Sequence, residues 1–161
     1  MPEKLQFEGA LLDETAYLIP ESTKLTISPT IANALSHILA APVETLMIYQ
    51  PAEGSEAGEK GLIAMERLIT ALKQPEETVQ CINILGHKGL NLPIITRYPN
   101  IKTVILLGTD IRSMGIETES LAYIPFIFNK LNIIISDNLE VITDADKKLL
   151  WGRLQKMFGL N

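Results

Sequence analysis

The sequence is poor in cysteine, histidine and tryptophan, and each shortage excludes a class of functional site. Its 161 residues include one cysteine, two histidines and one tryptophan. The lone thiol of Cys81 excludes an internal disulfide and a zinc site built from cysteines, and it is typical of proteins that stay in a reducing cytoplasm. Neither His37 nor His87 has a cysteine or carboxylate at ligand spacing, so we expect neither a metal site nor a cofactor.

Basic residues and long apolar runs are also scarce. Lysine and arginine total 14 against 19 aspartates and glutamates, which gives a formal net charge of -5. Because phosphate neutralisation needs clustered lysines and arginines, strong direct binding to nucleic acid is not expected.

No apolar run approaches the roughly 20 residues that span a bilayer. The start, Met1 to Lys4, lacks the basic and apolar regions of a signal peptide. We therefore expect a soluble cytoplasmic protein without membrane contact.

The chain has the apolar content of one ordinary globular domain. Hydrophobic residues make up 47% and charged residues 20% of the sequence, and a domain of this length buries roughly 70% of its unfolded surface. Residues 1–27 mix short apolar groups with acids and are interrupted by Pro20, which predicts an N-terminal arm or an irregular edge segment. Residues 28–161 are expected to form a single domain.

Short apolar runs alternate with amphipathic helical patterns along this domain. Such alternation is typical of right-handed parallel crossovers. It predicts an α/β fold, a three-layer sandwich with a largely parallel central sheet and a hairpin at one edge. The predicted elements are a helix over 29–40 capped by Ser28, a strand over 43–49, a helix over 59–73, a strand over 78–85, a short helix within 89–99, a strand over 101–107, strands over 122–128 and 131–135, and a last helix that begins after Thr143 and ends at Gly159.

In such folds the functional residues lie on the loops that leave the carboxyl ends of the strands. Four polar residues on these loops are candidates for chemistry. His87 is a candidate general base, with a solvated loop histidine as the structural alternative. Asp110 could act as a catalytic acid, as a cap or as a turn residue. Its position at the end of a strand favours the two structural roles. The loops are 50–58, 85–89, 108–117 and 136–142, and the candidates are His87, Thr109, Asp110 and Asp137.

Familiar catalytic motifs are not recognisable. The segment Gly54 to Gly61 has the wrong spacing for a phosphate-binding loop, lacks the hydroxyl residue and adds two carboxylates. No Gly-x-Ser-x-Gly elbow is present. Cys81 lies in a strand pattern, which favours a buried core thiol over a nucleophile. His37 lies off the apolar stripe of its helix, and we expect it to be exposed.

The last predicted helix carries an apolar stripe and several cations. We interpret the stripe Leu150, Trp151, Leu154 and Phe158 as core packing. The positive residues favour a solvated helix face, with contact to an acidic partner or DNA as the alternative; they are Lys147, Lys148, Arg153 and Lys156.

Three short segments carry a family resemblance. These segments are Val104 to Asp110, Ser136 to Leu139 and Asp146 to Leu154. In them the chain resembles the psi subunit of the bacterial DNA polymerase III clamp loader, in which a Leu-Gly-Thr-Asp-like segment precedes a Leu-containing turn and a final helix with a Leu-Trp pair. Leu11 to Pro20 is similar in placement to the opening segment of that family.

The resemblance implies a non-catalytic protein–protein adaptor of DNA replication. In that family an amino-terminal peptide docks on the clamp-loader subunits, and the globular domain holds a partner that contacts the single-stranded-DNA-binding protein. By position that peptide corresponds to the N-terminal arm, and a polar arm with few apolar anchors is suited to ordering on a partner. The same residues packed on the domain are the alternative. The anchors would be Leu11, Leu12, Tyr17, Leu18 and Ile19.

The psi fold is itself similar to the uracil-DNA glycosylase fold, which gives an enzymatic alternative: a glycosylase-like nucleic-acid enzyme or its inactive relative. Those enzymes place a water-activating Asp or Asn after the first strand and a His before the last helix. Here the first loop begins Gln50-Pro51-Ala52-Glu53-Gly54, and Ser136 to Thr143 contains no His. A third alternative is a small-molecule-binding α/β domain that uses the loop 108–115.

Overall fold

A computed structural model of the chain describes residues 35–51, 59–87, 89–117 and 122–160. The predicted N-terminal arm and the start of the first predicted helix, with its cap Ser28, lie outside the described residues. The end of that helix is described, and residues 35–39 are helical with Leu35 and Leu39 buried. His37 is exposed on this segment, as predicted. No helix in the described ranges combines the length and the apolar character needed to cross a bilayer.

The centre of the molecule is a five-stranded sheet. Its strands are β1 (Thr45–Tyr49), β2 (Val79–Asn83), β3 (Thr103–Leu107), β4 (Phe126–Phe128) and β5 (Leu131–Ser136). They lie in the order β2-β1-β3-β5-β4, in which β2, β1, β3 and β5 are parallel and β4 pairs antiparallel with β5 at one edge. The predicted α/β class with a largely parallel sheet is therefore confirmed.

Both faces of the sheet are covered, which explains why its central strands are continuous apolar runs rather than alternating ones. On one face, Leu46, Leu106 and Ile133 pack among residues of the 35–39 segment and of the short helix α2 (Leu92–Ile95). On the other face, Met47, Ile105 and Ile134 are buried with residues of two longer helices. These are α1 (Glu59–Leu72) and α3 (Asp144–Met157).

Four of the observed strands are shorter than predicted, and the structure explains two of these differences. The strand predicted over 78–85 ends at Asn83, because the Asn83 side chain accepts a hydrogen bond from the Leu85 amide at 3.0 Å and begins a 3-10 turn. The strand predicted over 122–128 begins only at Phe126. Tyr123 adopts a φ of 63°, a left-handed conformation that interrupts extended backbone. Ala122 forms only an isolated bridge with Ile135.

The last hairpin turn and the two ends of the last helix agree with the sequence-based prediction. Asn129 and Lys130 have φ values of 45° and 71°, the left-handed pair that a two-residue hairpin requires. Helix α3 is capped by Thr143, whose hydroxyl oxygen accepts a hydrogen bond from the Asp146 amide at 3.2 Å. Past the helix, Gly159 has a φ of 66° and the Leu160 amide donates to the Gln155 carbonyl at 2.7 Å.

Candidate functional site

The order of the strands locates a crevice at the carboxyl edge of the sheet. The chain passes from β1 to β2 on one side and returns to β3 on the other side of β1. Adjacent parallel strands whose connections leave in opposite directions open a crevice at their carboxyl ends, where α/β proteins commonly bind ligands. Here the crevice is lined by Tyr49, Gln50, Pro51, Gly61, Met65, Leu107, Asn138, Leu139 and Glu140.

A hydrogen-bond network around Asn138 and Gln50 joins three strand ends across this crevice. The Asn138 side-chain amide nitrogen donates to the Gln50 carbonyl after β1, and its side-chain oxygen accepts from the Glu140 amide at 2.8 Å. The end of β3 joins the same network, since the Leu107 carbonyl accepts from the Gln50 amide at 3.1 Å. We call this arrangement, centred on Asn138 and including Gln50, Leu107 and Gly108, the Asn138 clasp.

Gly108 allows the clasp to close. Its φ is 75°, and its amide donates to the Ser136 carbonyl at 2.9 Å. A Cβ atom at this position would lie 3.0 Å from the Asn138 Cβ and 3.2 Å from the Asn138 Cα. The close approach of the loops after β3 and β5 therefore requires glycine here.

The clasp leaves little space in the described part of the crevice. The free volume is about 10 Å³, which is about enough for one water molecule. Its described lining includes four residues with polar side chains, Tyr49, Gln50, Asn138 and Glu140. Within the described ranges, no group of histidine, cysteine, aspartate and glutamate side chains is arranged to hold a metal ion.

The four predicted loop candidates do not form one cluster. His87 follows β2, and its Nδ1 atom lies 3.1 Å from the Asn83 carbonyl oxygen. Thr109 and Asp110 follow β3, whereas Asp137 follows β5. Since β1 separates β2 from β3, the end of β2 that precedes His87 lies about two strand spacings, roughly 10 Å, from the end of β3. Among the described residues, no hydrogen bond joins His87 to any of the other three.

Asp110 has the turn role that the sequence favours. It is exposed, its Oδ1 atom accepts from the Arg112 amide at 3.2 Å, and its carbonyl accepts from the Ser113 hydroxyl at 2.6 Å. Thr109 beside it is only 2% exposed, and its hydroxyl oxygen has no hydrogen-bond partner within the described part of the chain.

Asp137 holds the segment before β4 against the end of β5. Its Oδ2 atom accepts from the Tyr123 hydroxyl at 2.8 Å, and its amide donates to the same hydroxyl oxygen at 3.3 Å. Burial and the Asp137 carboxylate raise the pKa of Tyr123 above its ordinary value. This pair joins the Tyr123 side chain to the end of β5, which is a structural role for the carboxylate.

Cys81 has the environment of a packed thiol. It is half-buried in β2 and packs against the cluster that contains Met47 and Ile105. Burial raises its pKa to about 11. Because the thiolate is the nucleophilic form, this raised pKa disfavours Cys81 as a nucleophile near neutral pH.

A second cavity lies between helices α1 and α3, and the sequence analysis did not identify it. It has a volume of about 330 Å³. The pattern around it was visible in part, because Lys147 and Trp151 are four residues apart on α3, and Ala64 and Leu68 four apart on α1. We call it the α1–α3 groove; its lining residues are Ala64, Arg67, Leu68, Leu139, Lys147, Leu150 and Trp151.

The structure refines the two predictions for the last helix. Leu150 and Leu154 are buried, and Trp151 and Phe158 are half-buried against the same cluster, so the stripe is core packing as predicted. Trp151 lines the α1–α3 groove as well. Arg153 is half-buried, and its Nε atom is buried without a hydrogen-bond partner among the described residues. Lys147, Lys148 and Lys156 are exposed.

Comparison of the chain with protein-family models, with curated proteins and with solved structures gives no match.

Proposed function

We propose that the chain is a non-catalytic replication accessory protein of the psi type, an adaptor that binds clamp-loader subunits. The observation that carries the proposal is a contrast between the two cavities. The described part of the carboxyl-edge crevice, where an α/β enzyme would bind its substrate, has room for about one water. The α1–α3 groove is open, apolar and bordered by the only tryptophan of the chain.

The segments that resemble the psi family lie at these two places, which supports the proposal. Gly108 and Asn138 meet in the clasp, and they come from the first and second of the resembling segments. The third segment contributes Lys147, Leu150 and Trp151 to the groove. Residues of the resembling segments thus take part in closing one cavity and in lining the other.

A glycosylase-like enzyme is the alternative with less support. Such an enzyme takes a flipped base into a pocket with an aromatic platform, beside a groove that holds the phosphate backbone. The aromatic side chain at the carboxyl-edge crevice is Tyr49. Trp151 lies on the helical face instead, and the net charge of -5 opposes binding of the backbone.

A small-molecule site in the loop 108–115 also has less support. Thr109, Ile111 and Met114 are at most 2% exposed, and the latter two belong to the core on one face of the sheet. The loop is thereby packed as part of the domain, and a ligand would have to displace core side chains to reach its backbone.

The proposal is tested by capture of the clamp-loader ATPase subunits of the same source. The full chain and a chain lacking residues 1–24 are each immobilised and exposed to the purified subunits at micromolar concentration. We expect the full chain to capture them and the shortened chain to fail. In the full chain, the triple variant Tyr17→Ser, Leu18→Ser and Ile19→Ser should also abolish capture, whereas Glu21→Gln should not.

Two results would count against the proposal. If neither chain captures the subunits, the psi-type function is wrong, and an assay for excision of uracil from DNA would then test the enzymatic alternative. If the shortened chain captures as well as the full chain, the assignment of binding to the N-terminal arm is wrong.

A further inference from the structure

The α1–α3 groove has an apolar base and an aromatic wall. Leu150 is 3% exposed and forms part of the base, while Leu68 and Trp151 are half-buried and present part of their surface to the cavity. A volume of about 330 Å³ is at the lower end of the range for binding sites, roughly 300 to 1,000 Å³. It suits one large apolar side chain together with the adjoining backbone.

The charge of the groove is opposite to that of the whole chain. The described residues that line it include two cations, Arg67 of α1 and Lys147 of α3, and no carboxylate, although the net charge of the chain is -5. Arg67 forms no ion pair with another described residue. Lys147 has a distant one, 3.7 Å to Asp144, whose side chain is 95% exposed. Exposed pairs of this kind contribute little, so both cations are available to a ligand.

We propose that the α1–α3 groove binds an acidic linear segment of a partner protein. One large apolar side chain of the segment packs against Leu150 and Trp151, and its carboxylates pair with Arg67 and Lys147. Tryptophan and arginine are the residue types that most often dominate protein–protein binding. The groove holds one such residue from each helix, so a bound segment contacts α1 and α3 together.

This inference deepens the proposed function, because it assigns the adaptor a second binding site on its globular domain. It does not involve the N-terminal arm or the clamp-loader subunits. The two proposals therefore fail separately. If the chain does not capture the clamp-loader subunits, the groove remains a peptide site of some other assembly. If no peptide binds the groove, capture of the clamp-loader subunits by the arm is unaffected.

The test is selection of a random peptide library, displayed on phage, on the immobilised full chain. We expect the enriched peptides to combine several acidic residues with one leucine or phenylalanine. A synthetic peptide of the enriched sequence, free of tryptophan and tyrosine, is then titrated into the full chain. Trp151 is the only tryptophan, so its fluorescence reports binding in the groove directly. The affinity should fall as the salt concentration rises.

Charge reversal tests the assigned cations. The double variant Arg67→Glu with Lys147→Glu should bind the peptide about tenfold or more weakly, because two exposed attractions become repulsions. Lys156→Glu makes the same change on an exposed position of α3 outside the groove, and it should bind like the unmodified chain. The double variant should regain binding to a peptide whose acidic residues are replaced by lysine, which excludes misfolding as the cause of the loss.

Three results would overturn the inference. The library yields no enriched sequence, or the enriched sequences carry no excess of acidic residues. Alternatively, Lys156→Glu weakens binding as much as the double reversal, which would mean that the peptide responds to general charge rather than to the groove.

Discussion

At the scale of single residues, the clasp depends on a glycine. Gly108 has a φ of 75°, and a side chain there would meet the backbone of Asn138 at 3.2 Å. Two separate effects therefore oppose any other residue, one from its own backbone conformation and one from the neighbouring loop. Neither effect involves a hydrogen bond or an apolar contact of the residue itself.

We predict that Gly108→Ala lowers the free energy of unfolding by about 1 to 3 kcal/mol, the range for a non-glycine residue held in a left-handed conformation. The measurement is equilibrium unfolding in urea. The control is Gly152→Ala, because Gly152 lies inside α3 and a Cβ there meets nothing within 4 Å. That change should raise stability by about 1 kcal/mol, as expected for alanine in a helix interior.

Opposite signs for these two substitutions would support the geometry of the clasp. If Gly108→Ala were neutral or stabilising, the loop after β3 would not be held against Asn138 as described, and the closure of the carboxyl-edge crevice would lose its basis.

At the scale of elements, α3 links the core to the proposed groove. Its buried residues Leu150 and Leu154 fix the helix on the sheet, and Lys147 and Trp151 on an adjoining face line the groove. The start of the helix depends on Thr143, whose hydroxyl oxygen receives the Asp146 amide. Lys147 lies in the next turn, so the cap also sets the position of one groove cation.

We predict that Thr143→Ala destabilises the protein by about 1 kcal/mol, since it removes the partner of a helix-terminal amide. Thr143→Ser keeps the hydroxyl oxygen and should retain most of the stability. Both values come from thermal and urea unfolding followed by circular dichroism. Equal stability of the alanine and serine variants would mean that the side chain of residue 143 does not cap α3.

At the scale of the whole molecule, local patterns were sufficient for the sheet but not for the sites. The strands β1, β3 and β5 are recognisable because burial on both faces demands continuous apolar runs. The clasp is not recognisable, because Asn138 bonds to Gln50, a residue 88 positions earlier in the chain.

Contacts between distant parts of the chain also explain why the sequence did not predict the groove or the start of β4. The groove needs α1 and α3 side by side, a relation that no local pattern encodes. Tyr123 was missed for a related reason. Its φ is 63°, its amide donates to the Ile135 carbonyl and its hydroxyl donates to Asp137, whereas tyrosine has no intrinsic preference for a left-handed backbone.

The sheet order implies a gradient of stability from the centre of the molecule to its edges. Strand β3 is hydrogen-bonded on both sides, to β1 and β5, and all five of its residues are buried. Strand β4 is a three-residue edge strand, and Ile127 within it is 59% exposed. Local opening separates an edge strand from the sheet with less loss of burial than opening of the centre requires.

We therefore predict that the backbone amides of β1, β3 and β5 exchange with deuterium most slowly, at rates near those of global unfolding, and that amides of β4 and β2 exchange sooner. Hydrogen exchange measured on the native chain, with the denatured chain as the reference for intrinsic rates, tests this order. Slow exchange of β4 equal to that of β3 would contradict it.

Because the clasp joins the ends of β1, β3 and β5, Gly108→Ala should accelerate exchange at these carboxyl ends before it affects the strand centres. The groove on the helical face would then be supported by the most stable part of the sheet, which is the property that a binding platform requires.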